Sequence, residues 1–253
     1  MRNPDRETIF RFKQFAVCNA RSAMKIGTDS VSLGAWAPVD CVRTALDVGS
    51  GCGVLALMLA QRGVDNITGV EIDPEAVAES RLNAAASPWA GRIEIEEGDA
   101  TEWSRRQSTP LLYDLIVSNP PYFSSELMSP EQARATARHE GTLSFVTLMM
   151  LAERHLAPGG RLALIAPTDR EADIEWEATL RRLSLKRKCR LTGSVRKAAK
   201  RVMYVFTRED SAREEDTLLI INSEAYKALT KDFYLDRRNL QYLRAEGSCF
   251  FCV

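Results

Sequence analysis

One stretch of sequence, Leu46-Asp47-Val48-Gly49-Ser50-Gly51-Cys52-Gly53, decides the fold of this chain. It joins a predicted strand at residues 44–48 to a predicted helix at residues 53–62. Glycines let the backbone approach a ligand closely, and the first turn of a helix offers unpaired N–H groups. The spacing differs from the dinucleotide pattern, because Val54 stands where that pattern needs its third glycine. No Gly-Lys-Ser/Thr follows, and acidic Asp47 would repel a pyrophosphate, so the loop favours a cofactor without phosphates.

Short β-rich runs alternate with helical stretches from residue 44 onward. After the first strand, further strands are predicted at residues 67–72, 92–97, 112–118, 161–166, 186–192 and 201–207. Helices are predicted at residues 74–86 and 142–156, and Pro158-Gly159-Gly160 predicts a turn. Such repeated β-α units are typical of a parallel sheet with helices on both faces. We therefore expect an α/β fold with a seven-stranded mixed sheet whose last strand pair is antiparallel.

Composition and charge exclude several classes of protein. The chain has 253 residues, 45% of them apolar, and 34 basic residues balance 34 acidic ones. This excludes a mainly disordered chain and a protein that binds nucleic acid through a strongly basic overall charge. The longest apolar run, residues 54–60, is far shorter than the roughly 20 residues of a membrane span, and residues 1–10 contain no signal-peptide apolar region. With six scattered cysteines as reduced thiols, we expect a globular, cytoplasmic monomer without a membrane partner.

Acidic residues follow the next two predicted strands. Glu71-Ile72-Asp73 ends the second strand, and Gly98-Asp99-Ala100 follows the third. Open α/β sheets bind ligands at the carboxyl ends of their strands, where these loops meet the glycine loop. Glu71 can accept both hydrogens of a ribose diol, and Asp99 can accept from an adenine amino group. The combination favours a cofactor that contains ribose and adenine over the alternative, a structural turn with solvated acids.

The tetrapeptide Asn119-Pro120-Pro121-Tyr122 follows the fourth predicted strand, again at its carboxyl end. It suits methylation of a planar amino nitrogen, which is a poor nucleophile because its lone pair is delocalised. The Asn119 side-chain oxygen and a backbone carbonyl near Pro120 can each accept one N–H, which directs the lone pair at a methyl donor. The prolines stiffen the loop and Tyr122 offers a flat face for stacking, so we expect all four residues to be catalytic. The alternative is a Pro-Pro loop with a half-buried tyrosine.

Together these motifs resemble the S-adenosylmethionine site of class I methyltransferases, in particular the (D/N/S)PP(Y/F/W) amino-methyltransferases. The resemblance implies a Rossmann-like fold with S-adenosylmethionine as the cofactor, Glu71 on its ribose and Asp99 near its adenine. The cofactor-binding residues that we expect are Asp47, Gly49, Gly51, Gly53, Glu71, Ile72, Asp99, Ala100, Asn119 and Thr28. The motif occurs in N6-adenine enzymes of DNA and RNA and in glutamine methyltransferases of release factors, and it does not choose among them.

The N-terminal segment discriminates better among these substrates. It carries Phe10-Arg11-Phe12-Lys13-Gln14-Phe15 and Met24-Lys25-Ile26-Gly27-Thr28-Asp29-Ser30, and it resembles the bacterial family that methylates N6 of adenine 37 in valine tRNA. The resemblance extends to Ser223-Glu224-Ala225-Tyr226 and covers about residues 10 to 235. Release-factor methyltransferases carry a separate helical N-terminal domain, which 43 residues before the first strand can hardly hold. We expect an N-terminal extension at 1–43 that covers cofactor or substrate, a methyltransferase domain at 44–235, and a tail of unknown role at 236–253.

Two basic segments favour an RNA partner. Residues 181–201 contain ten Lys or Arg and no acidic residue, and residues 1–25 hold six basic against two acidic residues with three phenylalanines interleaved. Basic side chains attract phosphates, and phenylalanine rings stack on exposed bases. The alternatives are a solvated strand-helix face for the basic run and core packing for the phenylalanines. The substrate-binding residues that we expect are Lys13, Lys25, Phe123, Arg196 and Lys197, with Lys13, Lys25, Thr28 and Asp29 closing over the cofactor or target base.

Other readings of the chain remain open at this point. Cys249 and Cys252 form a lone C-x-x-C, and the only histidines are His139 and His155, so we expect no metal site. The first rival function is the same chemistry on DNA, ribosomal RNA or a protein glutamine. The second is a non-catalytic RNA-binding protein or tRNA chaperone that retains a cofactor fold. Asn-Pro-Pro-Tyr argues against this second rival, since a pure binding module has no need of it.

Overall fold

The computed structural model describes residues 9–121, 143–210 and 212–235. In chain order the strands are β1 Ile9–Arg11, β2 Ala16–Cys18, β3 Thr44–Val48, β4 Asn66–Glu71, β5 Ile93–Glu97, β6 Tyr113–Ser118, β7 Leu156–Pro167, β8 Ser184–Thr192, β9 Arg201–Thr207 and β10 Thr217–Ile220. The α-helices are α1 Thr28–Trp36, α2 Val54–Gln61, α3 Pro74–Ala85, α4 Ala100–Arg106, α5 Phe145–His155, α6 Glu171–Leu180 and α7 Glu224–Thr230.

The main sheet has the strand order β10-β8-β9-β7-β6-β3-β4-β5. β3 to β7 run parallel, and β9 is antiparallel to both β7 and β8. All seven expected strands are present, and the described residues add an eighth, β10, which pairs in parallel with β8 at the sheet edge. The sequence gives little sign of β10, because it has four residues of which only Leu219 is buried. The predicted number of strands in the main sheet is therefore corrected from seven to eight.

The predicted Pro-Gly-Gly turn lies within β7 as a bulge. Tyr113 of β6 pairs with Leu156, whereas Leu115 of β6 already pairs with Arg161, so β7 has four residues between these pairs where β6 has one. A Cβ at Gly160 would lie 2.9 Å from the backbone oxygen of Tyr113. The bulge therefore needs glycine because the neighbouring strand comes so close.

Helices cover both faces of the sheet, as the β-α alternation predicts. The core on one face joins α1, α2 and α7 to the sheet, and the core on the other joins α4, α5 and α6. Successive β3 residues alternate between them, with Ala45 in the first core and Leu46 in the second. Strands buried on both faces explain why the central runs are apolar almost throughout. No helix within the described ranges is both long and apolar enough to cross a membrane.

The N-terminal segment packs onto the same body. Phe12 and Phe15 are buried, their rings stack with centroids 4.5 Å apart, and they join a core with Leu57 and Met58 of α2. Phe10 is half-buried against Phe12. Of the two interpretations of these phenylalanines, core packing is therefore the one that describes Phe12 and Phe15. The division into an extension, a domain and a tail stays a prediction, and the tail lies outside the described residues.

The parallel direction of β3 to β8 brings their carboxyl ends to one edge of the sheet. The glycine loop after β3, the acidic ends of β4 and β5, and Asn119 after β6 all lie there. Since β8 runs in the same direction as β7, the connection at 193–200 between β8 and β9 also lies at this edge. The fold thus collects at one edge the motifs that the sequence separates by up to 150 residues.

Candidate active site

A cleft opens at the carboxyl edge of the sheet. Its walls come from the glycine loop, the ends of β4, β5 and β6, the start of α5, and an N-terminal segment, residues 19–25, that we call the strap. The expected cofactor or catalytic residues that line it are Gly49, Gly51, Glu71, Ile72, Asp99, Ala100, Asn119 and Pro121. The strap contributes Ser22, Ala23 and Met24. The structure therefore brings most of the expected cofactor and catalytic residues together around one cavity, but none of the expected substrate-binding residues that it describes.

The glycine loop adopts a conformation that favours glycine at each of its three positions. Gly49, Gly51 and Gly53 have φ angles of +71°, +54° and +80°. Gly49 and Gly51 face the cleft, and the Gly49 amide donates to the Val70 carbonyl at 2.8 Å. Gly53 does not line the cleft, and a Cβ there would lie 2.5 Å from Ser80 Oγ on α3. Gly53 thus permits close helix packing behind the loop, whereas the other two form its open side.

Glu71 ties the glycine loop to the end of β4. Its Oε2 accepts a hydrogen bond from the Gly51 amide at 2.7 Å, and its Oε1 accepts from the amides of Ile72 and Asp73 at 2.9 and 3.0 Å. Three backbone donors therefore fix the carboxylate at the cleft. A carboxylate has about four acceptor positions, so it can still accept from a ligand.

Asp99 begins α4 as its N-cap. Its Oδ1 accepts from the amides of Thr101 and Glu102 at 2.8 and 3.0 Å, which satisfies two donors of the first helical turn. Asp99 and Ala100 line the cleft beside Ile72, whose side chain is 42% exposed. The cleft thus combines a fixed carboxylate with an accessible apolar surface.

Asp47 lies beneath the glycine loop rather than on the cleft wall. It is fully buried, and its Oδ2 accepts from the Ala56 amide at 3.2 Å, while its Oδ1 has no hydrogen-bond partner among the described residues. Burial raises the pKa of Asp47 to about 7, the Ala56 hydrogen bond lowers it, and the nearby Glu71 charge raises it further. Asp47 therefore supports the loop from below.

Asn119 is the buried polar residue at the end of β6. It is 6% exposed, it lines the cleft, and its Nδ2 donates to Ser30 Oγ of α1 at 2.9 Å. Pro121 also lines the cleft, whereas Pro120 is buried behind it. Tyr122 and Phe123 lie outside the described residues. An amide held in a buried position beside a cleft can orient a donor group of a substrate.

Two side chains of α3 hold the N-terminal segment, Glu79 at the strap and Asn83 at the residue just before it, and the sequence interpretation missed both. Buried Glu79 accepts from the amides of Ala20, Arg21 and Ser22 at 2.6, 2.9 and 3.0 Å, and from Ser22 Oγ at 2.7 Å. Asn83 bonds both backbone groups of Cys18. Burial raises the pKa of Glu79, but the four hydrogen bonds outweigh it and hold this pKa below its usual range. The i, i+4 spacing of Glu79 and Asn83 is the one signal that could have indicated a shared polar face.

Relatives of known name match most of the chain. The methyltransferase small domain family matches residues 33–188. The tRNA1(Val) (adenine(37)-N6)-methyltransferase of Erwinia tasmaniensis is 40% identical over 237 residues, covering 90% of this chain and 95% of the relative. The protein of the same name from Phocaeicola vulgatus is 42% identical over 232 residues, covering 90% and 97%. The chain belongs to this methyltransferase family.

Solved structures show the same fold at low sequence identity. A predicted O-methyltransferase from Agrobacterium tumefaciens has a TM-score of 0.64 at 18% identity and covers 81% of this chain and 96% of its own. The glycopeptide N-methyltransferase MtfA, complexed with S-adenosylmethionine, has a TM-score of 0.53 at 11% identity and covers 72% and 95%. The fold is therefore that of a class I methyltransferase, as the resemblance of the site motifs implies.

Two of the three lysines expected to bind the substrate of this methyltransferase, Lys25 and Lys13, bond to the protein's own backbone. Lys25 Nζ donates to the carbonyls of Asn19, Ala20 and Ser22 and so closes the strap on itself. Lys13 Nζ donates to the Lys231 carbonyl after α7 and does not line the cleft. Thr28 is the first residue of α1 and does not line the cleft either.

The basic run at residues 181–201 divides into two parts. Its strand portion is largely neutralised, because Lys188 lies 2.6 Å from both Glu171 and Glu175, and Arg190 pairs with Glu171 and Asp216. Its loop portion, at residues 193–200, carries Arg196 and Lys197, both exposed at the carboxyl edge of the sheet. The broad basic surface that the sequence suggests is thus reduced mainly to this loop. The described part of the chain contains no group of side chains that could hold a metal ion.

Proposed function

We propose that this protein transfers a methyl group from S-adenosylmethionine to N6 of adenine 37 in tRNA1(Val). The observation that carries the proposal is the buried Asn119 amide in the wall of a cleft that two carboxylates, at neighbouring strand ends, also line. Curated relatives of this name, about 40% identical over some 90% of the chain, support the substrate. Such a protein meets its substrate in the cytoplasm.

The cleft residues fit this cofactor chemically. Glu71, held by three amides, is placed to accept from the ribose hydroxyls, and Asp99 to accept from the adenine amino group. Ile72 offers an apolar face to the adenine ring, and the backbone of Gly49 and Gly51 lets the methionine part approach. When bound, S-adenosylmethionine supplies a methyl group activated by a positively charged sulfur. Asp47 and Gly53 then act indirectly, by supporting the loop.

Asn119 would perform the central step on the substrate. Its Oδ1 and a carbonyl near Pro120 each accept a hydrogen bond from one N–H of the adenine amino group. This turns the nitrogen lone pair towards the methyl group. The same acceptors stabilise the positive charge that develops on the nitrogen. The methylated nitrogen is strongly acidic and loses a proton to water, so the scheme needs no general base. We also propose that Tyr122 stacks on the target base and that Phe123 contacts the substrate.

The RNA would approach along the carboxyl edge of the sheet. Arg196 and Lys197 are exposed on the loop at this edge, beside the amino end of β9, and are placed to contact phosphates. Arg201, the first residue of β9, pairs with Asp29 of α1 at 2.7 Å. Since Ser30 of the same helix contacts Asn119, the loop lies close to the reacting group. We therefore propose this loop, rather than the basic strand, as the tRNA contact.

Methyl transfer to tRNA tests the proposal. Purified protein is incubated with labelled S-adenosylmethionine and total tRNA from a bacterium that lacks this activity, and the nucleosides are identified by mass spectrometry. We expect N6-methyladenosine in one valine tRNA, and no label in a matched transcript with guanosine at position 37. Label on DNA, ribosomal RNA or a protein glutamine would assign the chemistry to another substrate. Cofactor binding without any transfer would favour a non-catalytic protein.

A further inference from the structure

We propose that Ser30 is a positioning residue for Asn119, an inference that rests on the proposed function. The two residues are 89 positions apart in sequence, and the Asn119 Nδ2 donates to Ser30 Oγ at 2.9 Å. Both side chains are 6% exposed, so water competes little for this contact. Ser30 does not line the cleft, and therefore acts on the substrate only through the amide.

The chemistry of an amide explains why such a partner matters. The side chain of asparagine ends in an acceptor oxygen and a donor nitrogen that point apart, and a half-turn about its last torsion exchanges them. Only the oxygen can accept a hydrogen bond from an adenine amino group. In the exchanged orientation the amide N–H would face the N–H of the adenine, and two donors cannot bond to each other. When the substrate amine donates from the cleft side, the pairing of lowest energy places Nδ2 on Ser30 and Oδ1 on the amine. Ser30 thus holds the amide in its productive plane.

Ser30 is itself on a firmly held element. The preceding residue, Asp29, pairs with Arg201 of β9 at 2.7 Å, and both side chains are only about one-third exposed. Further along α1, a Cβ at Gly34 would lie 2.6 Å from Met58 Sδ of α2, so the two helices are in close contact. A positioning residue needs such rigid support, because a small displacement of the amide would lose the alignment.

Methyl transfer by three variants tests the role of Ser30. Ser30→Ala should lower kcat about 10-fold, the effect of losing one buried hydrogen bond, with KM for tRNA and the cofactor Kd within about twofold of the wild type. Ser30→Thr keeps the hydroxyl and should recover most of the turnover. Ser32→Ala is the matched control: Ser32 lies on the same helix, is fully buried, and its hydroxyl has no partner among the described residues. It should turn over like the wild type.

Side-chain amide exchange gives a readout that does not depend on the substrate. The Asn119 amide resonances, identified by their loss in Asn119→Ala, should exchange slowly with water in the wild type and in Ser32→Ala, and quickly in Ser30→Ala. Wild-type kcat in Ser30→Ala, equal losses in Ser30→Ala and Ser32→Ala, or unchanged amide exchange would each overturn the inference. If the wild type does not methylate tRNA, the proposed function fails, and amide exchange still decides whether Ser30 holds Asn119.

Discussion

Two buried carboxylates lie behind the walls of the cleft, one beneath the glycine loop and one beneath the strap, and they are held in opposite ways. Asp47, beneath the glycine loop, has one hydrogen bond and a pKa raised to about 7, chiefly by burial. Glu79, beneath the strap, is also buried but accepts four hydrogen bonds, which outweigh burial and lower its pKa. Burial by itself therefore does not decide the charge of a carboxyl group; the number of donors around it does.

The difference also separates two ways to build a cofactor site. The glycine-loop side belongs to the sheet, where backbone amides hold Glu71 in place. On the other side, Glu79 bonds the strap to α3, and Asn83 bonds the residue just before the strap, Cys18. We expect the glycine-loop side to tolerate the loss of Asp47 and the strap side to depend on Glu79.

The largest expected effect is on stability, at Asp47. Its folded pKa exceeds the ordinary value of 3.8, so the folded state binds the proton more tightly than the unfolded state. The free energy of unfolding therefore falls as pH rises from about 4 to about 7, by up to about 4 kcal/mol. Asp47→Asn removes this dependence and should be more stable than the wild type at pH 8, with little difference at pH 4. Urea unfolding at both pH values measures it, and a difference that is independent of pH would contradict the raised pKa.

The next largest effect concerns Glu71. Glu71→Gln replaces an acceptor oxygen by a donor opposite backbone N–H groups and removes the charge that faces the ribose in the proposed complex. The cofactor Kd, measured by calorimetry, should rise about 100-fold, since hydrogen bonds to charged groups contribute about 1.5–3 kcal/mol. Glu75→Gln, at an exposed site in the first turn of α3, is the control and should bind as the wild type does. Equal affinity in the two variants would remove Glu71 from the site.

A smaller effect is expected when the strap is released. Glu79→Gln should raise the cofactor Kd about 10-fold, because the strap residues Ser22, Ala23 and Met24 line the cleft. It should also lower the free energy of unfolding at neutral pH. The stabilisation from Glu79 is present above its unfolded pKa and is lost as pH falls through its lower folded pKa, so this difference should shrink in acid. Unchanged cofactor affinity would show that the strap does not contribute to cofactor binding.

The smallest expected effect is on tRNA binding, and it should leave cofactor binding in the cleft unchanged. Arg196→Ala together with Lys197→Ala should weaken tRNA binding several-fold and reduce its salt dependence by about two ion equivalents, without changing the cofactor Kd. Arg43→Ala is the control, because this exposed arginine precedes β3 at the opposite edge of the sheet. The Kd for tRNA, measured at several salt concentrations for the wild type and both variants, tests this prediction. An equal loss in the control would indicate non-specific charge.

Much of the site could be predicted because its residues form local motifs at strand ends. The glycine loop, Glu71, Asp99 and Asn119 each follow a recognisable strand, and parallel strands bring their ends together. The eighth strand was missed because four residues carry too little pattern. The broad basic surface was overestimated because Glu171, Glu175 and Asp216, which neutralise the strand, come from other segments.

Long-range pairs account for the remaining gaps. Glu79 meets strap residues 57 to 59 positions earlier, and Ser30 meets Asn119 across 89 positions. Neither pairing has a local signature, because each depends on how the N-terminal segment lies across α3 and the end of β6. The sequence also does not show which groups a charged side chain bonds to. The charge of Lys25 predicts a substrate contact, whereas its ammonium group bonds to the strap backbone.

Methyl transfer by Asn119→Ala tests the central claim most directly. In the proposed scheme the Asn119 oxygen orients the adenine amino group and stabilises its developing charge, so the variant should lose at least about 100-fold in kcat. Its affinities for S-adenosylmethionine and for tRNA should stay within a few-fold of the wild type, because Glu71, Asp99 and the loop at residues 193–200 remain. A variant that binds both ligands and methylates adenine 37 at the wild-type rate would contradict the account.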